Sequence, residues 1–298
     1  GSGAASGGGG GRLSIATGGT SGVYYVYGGG LANVISKNLP GTAATAEATS
    51  ASVDNMKLID AQRSNLAFVL ADTATDAVKG RGSFPAPVKA AALGQLYTNY
   101  TQIVAKAGTG IEKVADLRGK RVSVGAPGSG TEVIALRVLE AVGMDAGKDL
   151  RKTGLGVGES VGALRDGTID AFFWSGGLPT SGITDLATSD RIVLLPTTEF
   201  LSALQSKYGQ AYQRDVIPAG VYKGVDERVE VLGVPNLLVV NQAMPEQQAF
   251  DITRLLFERK NDLVAVHPEA KNLDPQRARQ TGEVPLHPGA QRYYSSAR

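Results

Sequence analysis

The chain has 298 residues, room for two domains or one large one. Its 30 Lys and Arg against 28 Asp and Glu leave a formal charge of +2, so no nucleic-acid partner is expected, because such a partner calls for a strongly basic face. The sequence has no cysteine and only two histidines, His267 and His287, which removes disulfides, thiol catalysis, iron–sulfur clusters and Cys-zinc or multi-His metal sites; neither a metal nor a cofactor is expected.

Gly1 to Gly11 reads GSGAASGGGGG, with nothing that can be buried, and is expected to be a flexible tether or tag remnant. Leu13 to Thr17 is a short apolar run that predicts a strand. Val26, Leu31, Val34, Ile35 and Leu39 then recur at helical spacing between Tyr24 and Leu39. Ala43 to Thr49 is extended. Ser50 or Ser52 is placed to cap a helix reaching Arg63, with Val53, Met56 and Ile59 inward and Leu58 a further candidate. Leu66 to Leu70 (LAFVL) is wholly apolar, as in a strand buried on both faces, and Asp72 to Lys79 is the next helix. This alternation predicts an α/β fold with a mainly parallel sheet.

Ala90 to Lys106 and Val229 to Asn241 share one rhythm: apolar run, short polar break, apolar run. Two such segments suggest two crossings between the same two domains, residues 12–99 with 233–298 and residues 100–232. In the second domain Arg121 to Val124 is a strand. A helix over Glu132 to Val142 follows, with Val133, Leu136, Leu139 and Ala135 or Val138 inward. Ile169 to Trp174 (IDAFFW), a helix near Thr180 to Ala187 and Ile192 to Leu195 come after it.

Two glycine-rich loops each follow a strand and open a helix. GAPGSGTE, from Gly125 to Glu132, places free backbone N–H groups at the positive end of a helix dipole, a geometry that binds a carboxylate or phosphate without a basic side chain. It lacks the Gly-Lys-Ser/Thr of a Walker loop and the glycine spacing of a dinucleotide fingerprint. GGTSGVYYVYGGG, from Gly18 to Gly30, adds Tyr24, Tyr25 and Tyr27 as rings for an apolar wall. A competing motif is Gly158-Glu159-Ser160-Val161-Gly162, which fits a nucleophile elbow with Asp170 and His267 or His287 downstream. No oxyanion-type segment precedes it, and the run after it reads as a short helix with Ser160 as N-cap.

GGTSGVYYVYGGGLA, DLRGKRVSVGAPGSGTE, DGTIDAFFWSGGLPT and PLHPGAQRYY, in this order from about Leu13 to Tyr294, resemble the TAXI family, the solute-binding subunits of TRAP transporters. The resemblance implies a type II periplasmic-binding-protein fold, with two α/β lobes joined by two hinge strands. It implies capture of a small organic anion, a glutamate- or 2-oxoglutarate-like acid or amino acid, for delivery to TRAP membrane subunits. The matching positions are Gly19 and Tyr24 or Tyr25, Ser52 and Asn55, Tyr100 at the hinge, Ser129, Gly130 and Thr131 in the anion loop, and Trp174. The family usually has Gln at the end of the LAFVL strand, followed by a tyrosine-rich stretch; this chain has Leu70 and then ADTATDAVKG. A periplasmic location is implied by the resemblance alone, since no signal peptide is visible. A hydrolase through Ser160 and ligand presentation to a signalling partner are the alternative functions.

Overall fold

The computed structural model describes residues 11–297. The N-terminal elements are β1 (Gly11–Ala16), α1 (Val23–Asn38), β2 (Thr42–Glu47), α2 (Ser52–Asp60), β3 (Leu66–Leu70), α3 (Ala71–Lys79) and β4 (Ala90–Lys106). The middle of the chain forms β5 (Arg121–Ser123), α4 (Gly130–Ala141), β6 (Arg151–Thr153), α5 (Val157–Asp166), β7 (Ala171–Gly176), α6 (Ser181–Ser189), β8 (Ile192–Leu194), α7 (Leu201–Tyr208) and β9 (Gln213–Ile217). It closes with β10 (Val229–Asn241), α8 (Glu246–Glu258), α9 (Lys260–Val266), a 3-10 turn over 268–272, α10 (Pro275–Ala278) and α11 (Pro288–Ser296). Gly11, assigned from sequence to the tether, is the first residue of β1, where its N–H donates to the Gly41 carbonyl at 2.8 Å. The rest of the expected tether lies outside the described residues.

The strands form one ten-stranded sheet of order β2-β1-β3-β10-β4-β7-β5-β6, with β8 on β4 and β9 on β10. β1 pairs in parallel with β2 and β3, and β5 with β6 and β7, but the pairings of β10 with β3, β4 and β9 and of β4 with β7 and β8 are antiparallel. The sheet is mixed rather than mainly parallel, contrary to expectation, because the two long strands run against both wings. The two long strands are antiparallel to each other and to their neighbours. Both exchange partners at the same place. β10 pairs with β9 over 229–233 and with β3 over 236–240, while β4 pairs with β10 up to Tyr100 and with β7 from Tyr100 onward; Gly233 and Tyr100 are register partners.

Strand alternation divides the core. Ala67 and Val69 of β3, Leu237 and Val239 of β10, Ile103 and Ala105 of β4 and Ala171 and Phe173 of β7 face one continuous core that spans both wings. Leu66, Phe68, Leu238 and Val240 face a second core under α1, α8, α9 and α11, and Val104 and Phe172 face a third under α5 and α6. β3 is buried at every residue, as its all-apolar composition requires.

Local chemistry moves several expected details. Val26 is 38% exposed, because α1 turns Tyr27, Leu31, Val34 and Ile35 to the core instead. On α4, Ile134, Ala135, Val138 and Leu139 are buried, while Val133 and Leu136 sit half-buried at the edge of the apolar face. Neither Ser50 nor Ser52 caps α2: its N-cap is Ala51, with no side-chain cap, and Ser52 is the first helical residue.

The wings also touch away from the sheet. The Gly128 carbonyl, next to α4, accepts from Val53 N and Asp54 N at the start of α2, at 3.0 and 3.2 Å. A buried polar clamp joins α3 to α4 and the segment after α7: Arg137 binds Asp76 at 2.5 Å and the Tyr212 hydroxyl at 2.7 Å, and that hydroxyl donates to Asp72 at 2.8 Å.

Candidate functional site

The N-termini of four helices, α1, α2, α4 and α5, converge on one cavity of about 260 Å³. Three of these helices begin at residues that offer no side-chain cap, Gly22, Ala51 and Gly156. The first N–H groups of a helix have no intrahelical acceptor. Among the described residues, the N–H groups of Val23 and Tyr24, of Gly130 and Thr131, and of Val157, Gly158 and Glu159 find no acceptor elsewhere either. The cavity therefore gathers the positive ends of four macrodipoles together with uncommitted donors.

Side-chain hydroxyls reinforce this polarity. Ser129 is the N-cap of α4 and accepts from Glu132 N at 3.1 Å; Ser52 Oγ accepts from Leu70 N at 3.1 Å; Thr131 Oγ1 accepts from Ser175 N at 3.2 Å. Each is used as an acceptor; the Ser129 and Thr131 protons remain available to donate, while the Ser52 hydroxyl also engages the Tyr24 phenol. The Tyr97 hydroxyl and Ser175 Oγ are buried without a partner, and both residues line the cavity. Among the described residues no Lys, Arg or His lines it, and the one carboxylate that does is Glu159. Leu70, Leu155, Val23 and the Trp174 ring supply apolar surface, and Trp174 is oriented by its Nε1 donating to Thr180 Oγ1 at 2.9 Å.

The floor is a buried polar chain that runs from α1 across three strands, β10, β4 and β7. The Tyr24 hydroxyl donates to Asn236 Oδ1. Asn236 Nδ2 donates to Asn99 Oδ1 at 2.7 Å, and Asn99 Nδ2 donates to the Ser175 carbonyl at 3.1 Å. Burial pushes the Tyr24 and Tyr97 phenols well above their ordinary pKa, so both stay protonated donors. Asn99 and Asn236 were not singled out by sequence. The signal available was a polar residue inside each long apolar strand, at the breaks YTNYT and VPNLL.

Two positions have little freedom. A Cβ on Gly130 would lie 2.5 Å from Leu70 Cδ1 and 2.7 Å from Ser52 Oγ, so the start of α4 approaches β3 and α2 only as glycine. Ala51 holds φ 78° and ψ −146°, a region that normally demands glycine and costs about 1–3 kcal/mol otherwise.

Of the expected site residues, Gly19, Tyr24, Ser52, Ser129, Gly130, Thr131 and Trp174 line the cavity; Tyr25, Asn55 and Tyr100 do not. Tyr25 is 37% exposed on the outer side of α1. Asn55 is fully buried with its amide committed: Nδ2 donates to the Thr17 and Phe68 carbonyls at 2.7 and 2.9 Å, and Oδ1 accepts from Thr49 Oγ1 at 2.6 Å. Tyr100 stands on the other face of β4, by strand parity with Thr98 rather than with Tyr97 and Asn99. Leu70, which stands where the resembled family has Gln, lines the cavity as an apolar wall.

The hydrolase geometry is absent. Ser160 lies inside α5, whose N-cap is Gly156, and is fully buried, with its hydroxyl bonded to Ser123 Oγ at 2.9 Å. His267 and His287 are committed as N-caps elsewhere, accepting from Glu269 N at 3.0 Å and Gly289 N at 3.1 Å. Among the described residues no base is hydrogen-bonded to Ser160.

Residues 15–297 match the NMT1-like family. The chain belongs to that family. Solved structures similar to this NMT1-like protein include the periplasmic aliphatic sulphonate binding protein SsuA from Escherichia coli, at 14% identity and TM-score 0.52, covering 95% of this chain and 82% of that one. The alkanesulfonate-binding protein SsuA from Xanthomonas axonopodis pv. citri, bound to MOPS, is similar at 15% identity and TM-score 0.54, covering 95% and 83%. A binding protein component of an ABC phosphonate transporter from Pseudomonas aeruginosa is similar at 10% identity and TM-score 0.56, covering 87% and 78%. The NMT1-like chain thus has the α/β fold of periplasmic binding proteins. Among its described residues no helix is long and apolar enough to cross a membrane.

Proposed function

We propose that this NMT1-like protein is an extracytoplasmic solute-binding protein that captures a small organic acid in the cavity between the two wings, without chemistry. One observation carries the reading: four helix N-termini converge on a cavity that no basic side chain of the described residues lines, and at α1, α4 and α5 the first N–H groups have no acceptor of their own, whereas Val53 N and Asp54 N of α2 are held by the Gly128 carbonyl. A carboxylate satisfies those donors, the Ser52, Ser129 and Thr131 hydroxyls add charge-assisted bonds, and Leu70, Leu155 and Trp174 receive the carbon skeleton. Glutamate and 2-oxoglutarate are the first probes. Leu70 tilts the choice towards acids with a less polar body, because it offers no amide to a second polar group.

The lobes of this reading are residues 12–99 with 233–298 and residues 100–232. The partner exchange of β4 and β10 at Tyr100 and Gly233 supports that division. Closure of one lobe on the other would deliver the loaded form to membrane subunits, of the TRAP type on the strength of the four resembling segments.

The test is a thermal-shift screen of mono- and dicarboxylates followed by calorimetry. A ligand held at ~100 times its Kd stabilises the native state by about 2.7 kcal/mol. Ser52→Ala and Ser129→Ala should each weaken the best acid roughly 10- to 100-fold, since a hydrogen bond to a charged group is worth about 1.5–3 kcal/mol. Unchanged affinity in both variants would refute the placement of the acid. Reconstitution with candidate permease subunits decides the transporter type.

A further inference from the structure

The long strands carry a second cavity. Thr98 and Tyr100 alternate with Tyr97 and Asn99 along β4 and face away from the first site; a register shift opposite Asn236 and Leu237 lets Gln95 join them. This back cavity holds about 320 Å³. β9 contributes Asp215, the 3-10 turn at 268–272 contributes Glu269, and α10 contributes Arg277.

Its charges are solvated by amides but not neutralised. Asp215 Oδ2 accepts from Gln213 Nε2 at 2.8 Å, and the Glu269 oxygens accept from Leu178 N and Asn272 Nδ2, both at 3.1 Å. Among the described residues neither carboxylate is in an ion pair. Arg277 lies near enough to favour the Asp215 charge without touching it, and has no carboxylate partner of its own. A separate observation points to an occupant: Gln95 is only 6% exposed, yet its amide has no hydrogen-bond partner among the described residues and opens on this cavity. The amide reaches the interior of the cavity and is left uncommitted for an occupant to bond. Partial burial also pushes the Asp215 and Glu269 carboxyls above their ordinary pKa, as expected of anions that lack a counter-cation.

The cavity offers two anions, one cation and an amide. An amine alone leaves Arg277 unpaired, and an acid alone meets two carboxylates. We propose that the back cavity is a second binding site, for an α-amino acid with a cationic side chain, whose two cationic groups meet Asp215 and Glu269, whose carboxylate meets Arg277, and whose remaining bonds are completed by Gln95. The inference does not depend on what the front cavity binds.

L-Lysine is the probe, titrated calorimetrically into the full chain. Saturable binding is expected, weakened at least ~10-fold by Asp215→Asn and by Arg277→Gln. L-Norleucine, which lacks the second cation, and cadaverine, which lacks the carboxylate, should each bind at least ~10-fold more weakly than lysine. Asp215 and Arg277 are exposed enough for both variants to fold, which their unfolding midpoints check. Ser52→Ala with Ser129→Ala should leave lysine binding unchanged, and the two back-cavity variants should leave organic-acid binding unchanged. The proposal is overturned by no binding up to about 10 mM, by binding indifferent to Asp215→Asn and Arg277→Gln, by norleucine or cadaverine matching lysine, or by lysine binding lost with the front hydroxyls.

Discussion

The two cavities use opposite faces of one strand and opposite means of handling charge. In front, the donors are backbone N–H groups, hydroxyls and helix dipoles, and no cationic side chain takes part. Behind, the lining includes Asp215, Glu269 and Arg277, ionised groups standing apart from one another. A site built from backbone is set by the fold and indifferent to titration of side chains; a site built from ionised groups responds to pH and salt. The comparison therefore predicts which perturbation each cavity will feel.

The largest effect is expected in front from Gly130→Val. Its side chain enters the space held by Leu70 and Ser52, so the start of α4 must withdraw, and affinity for the best organic acid should fall by ~100-fold or more, read by calorimetry. A loss below threefold would mean that the donors at the start of α4 do not hold the acid.

Glu269→Gln probes the back. Burial holds the Glu269 carboxyl above its ordinary 4.5, so the folded chain binds that proton more tightly than the unfolded chain does. The stability this group contributes is fully present below about pH 4.5 and is lost as pH rises through the folded value. The glutamine variant does not titrate. Its stability relative to the natural chain should therefore improve across that window and level off above it, as read by urea unfolding between about pH 4 and 7. A difference that is flat with pH would show Glu269 to be as well solvated in the fold as outside it.

Ala51→Gly tests the strain at the front. Removing Cβ at φ 78° should raise stability by about 1 kcal/mol, with the thermal midpoint as readout. The smallest effect is salt on the front site. Raising ionic strength from about 0.05 to 0.5 M should change organic-acid affinity by less than ~3-fold, whereas lysine binding behind should weaken more.

Much of the fold was legible. LAFVL could only be a doubly buried strand, and the glycine loops at Gly18 and Gly125 open helices as their position after strands required. The shared rhythm of the two long segments suggested crossings between two domains; that the two strands also pair with each other, antiparallel, came only with the structure. The site was legible only where it is made of backbone. Ser129, Gly130 and Thr131 could be found because a glycine-rich strand-to-helix turn has one geometry. Tyr25, Asn55 and Tyr100 do not line the cavity, and residue type alone does not fix side-chain direction: one step along α1 or β4 turns a residue from the cavity to solvent or to the back. Ser52 reads as a cap, but its hydroxyl serves β3 across the chain. That partner is set by tertiary packing, to which local spacing is blind.

The clamp between α3 and α4 has a consequence for turnover. Arg137 reaches Asp76 from the opposite wing with both side chains almost wholly enclosed, so drawing the wings apart breaks the pair and returns both ions to water, where regained hydration offsets much of the lost attraction. For the capture proposed above, this means that closure must be driven by ligand contacts that differ between the open and closed forms, and not by this pair.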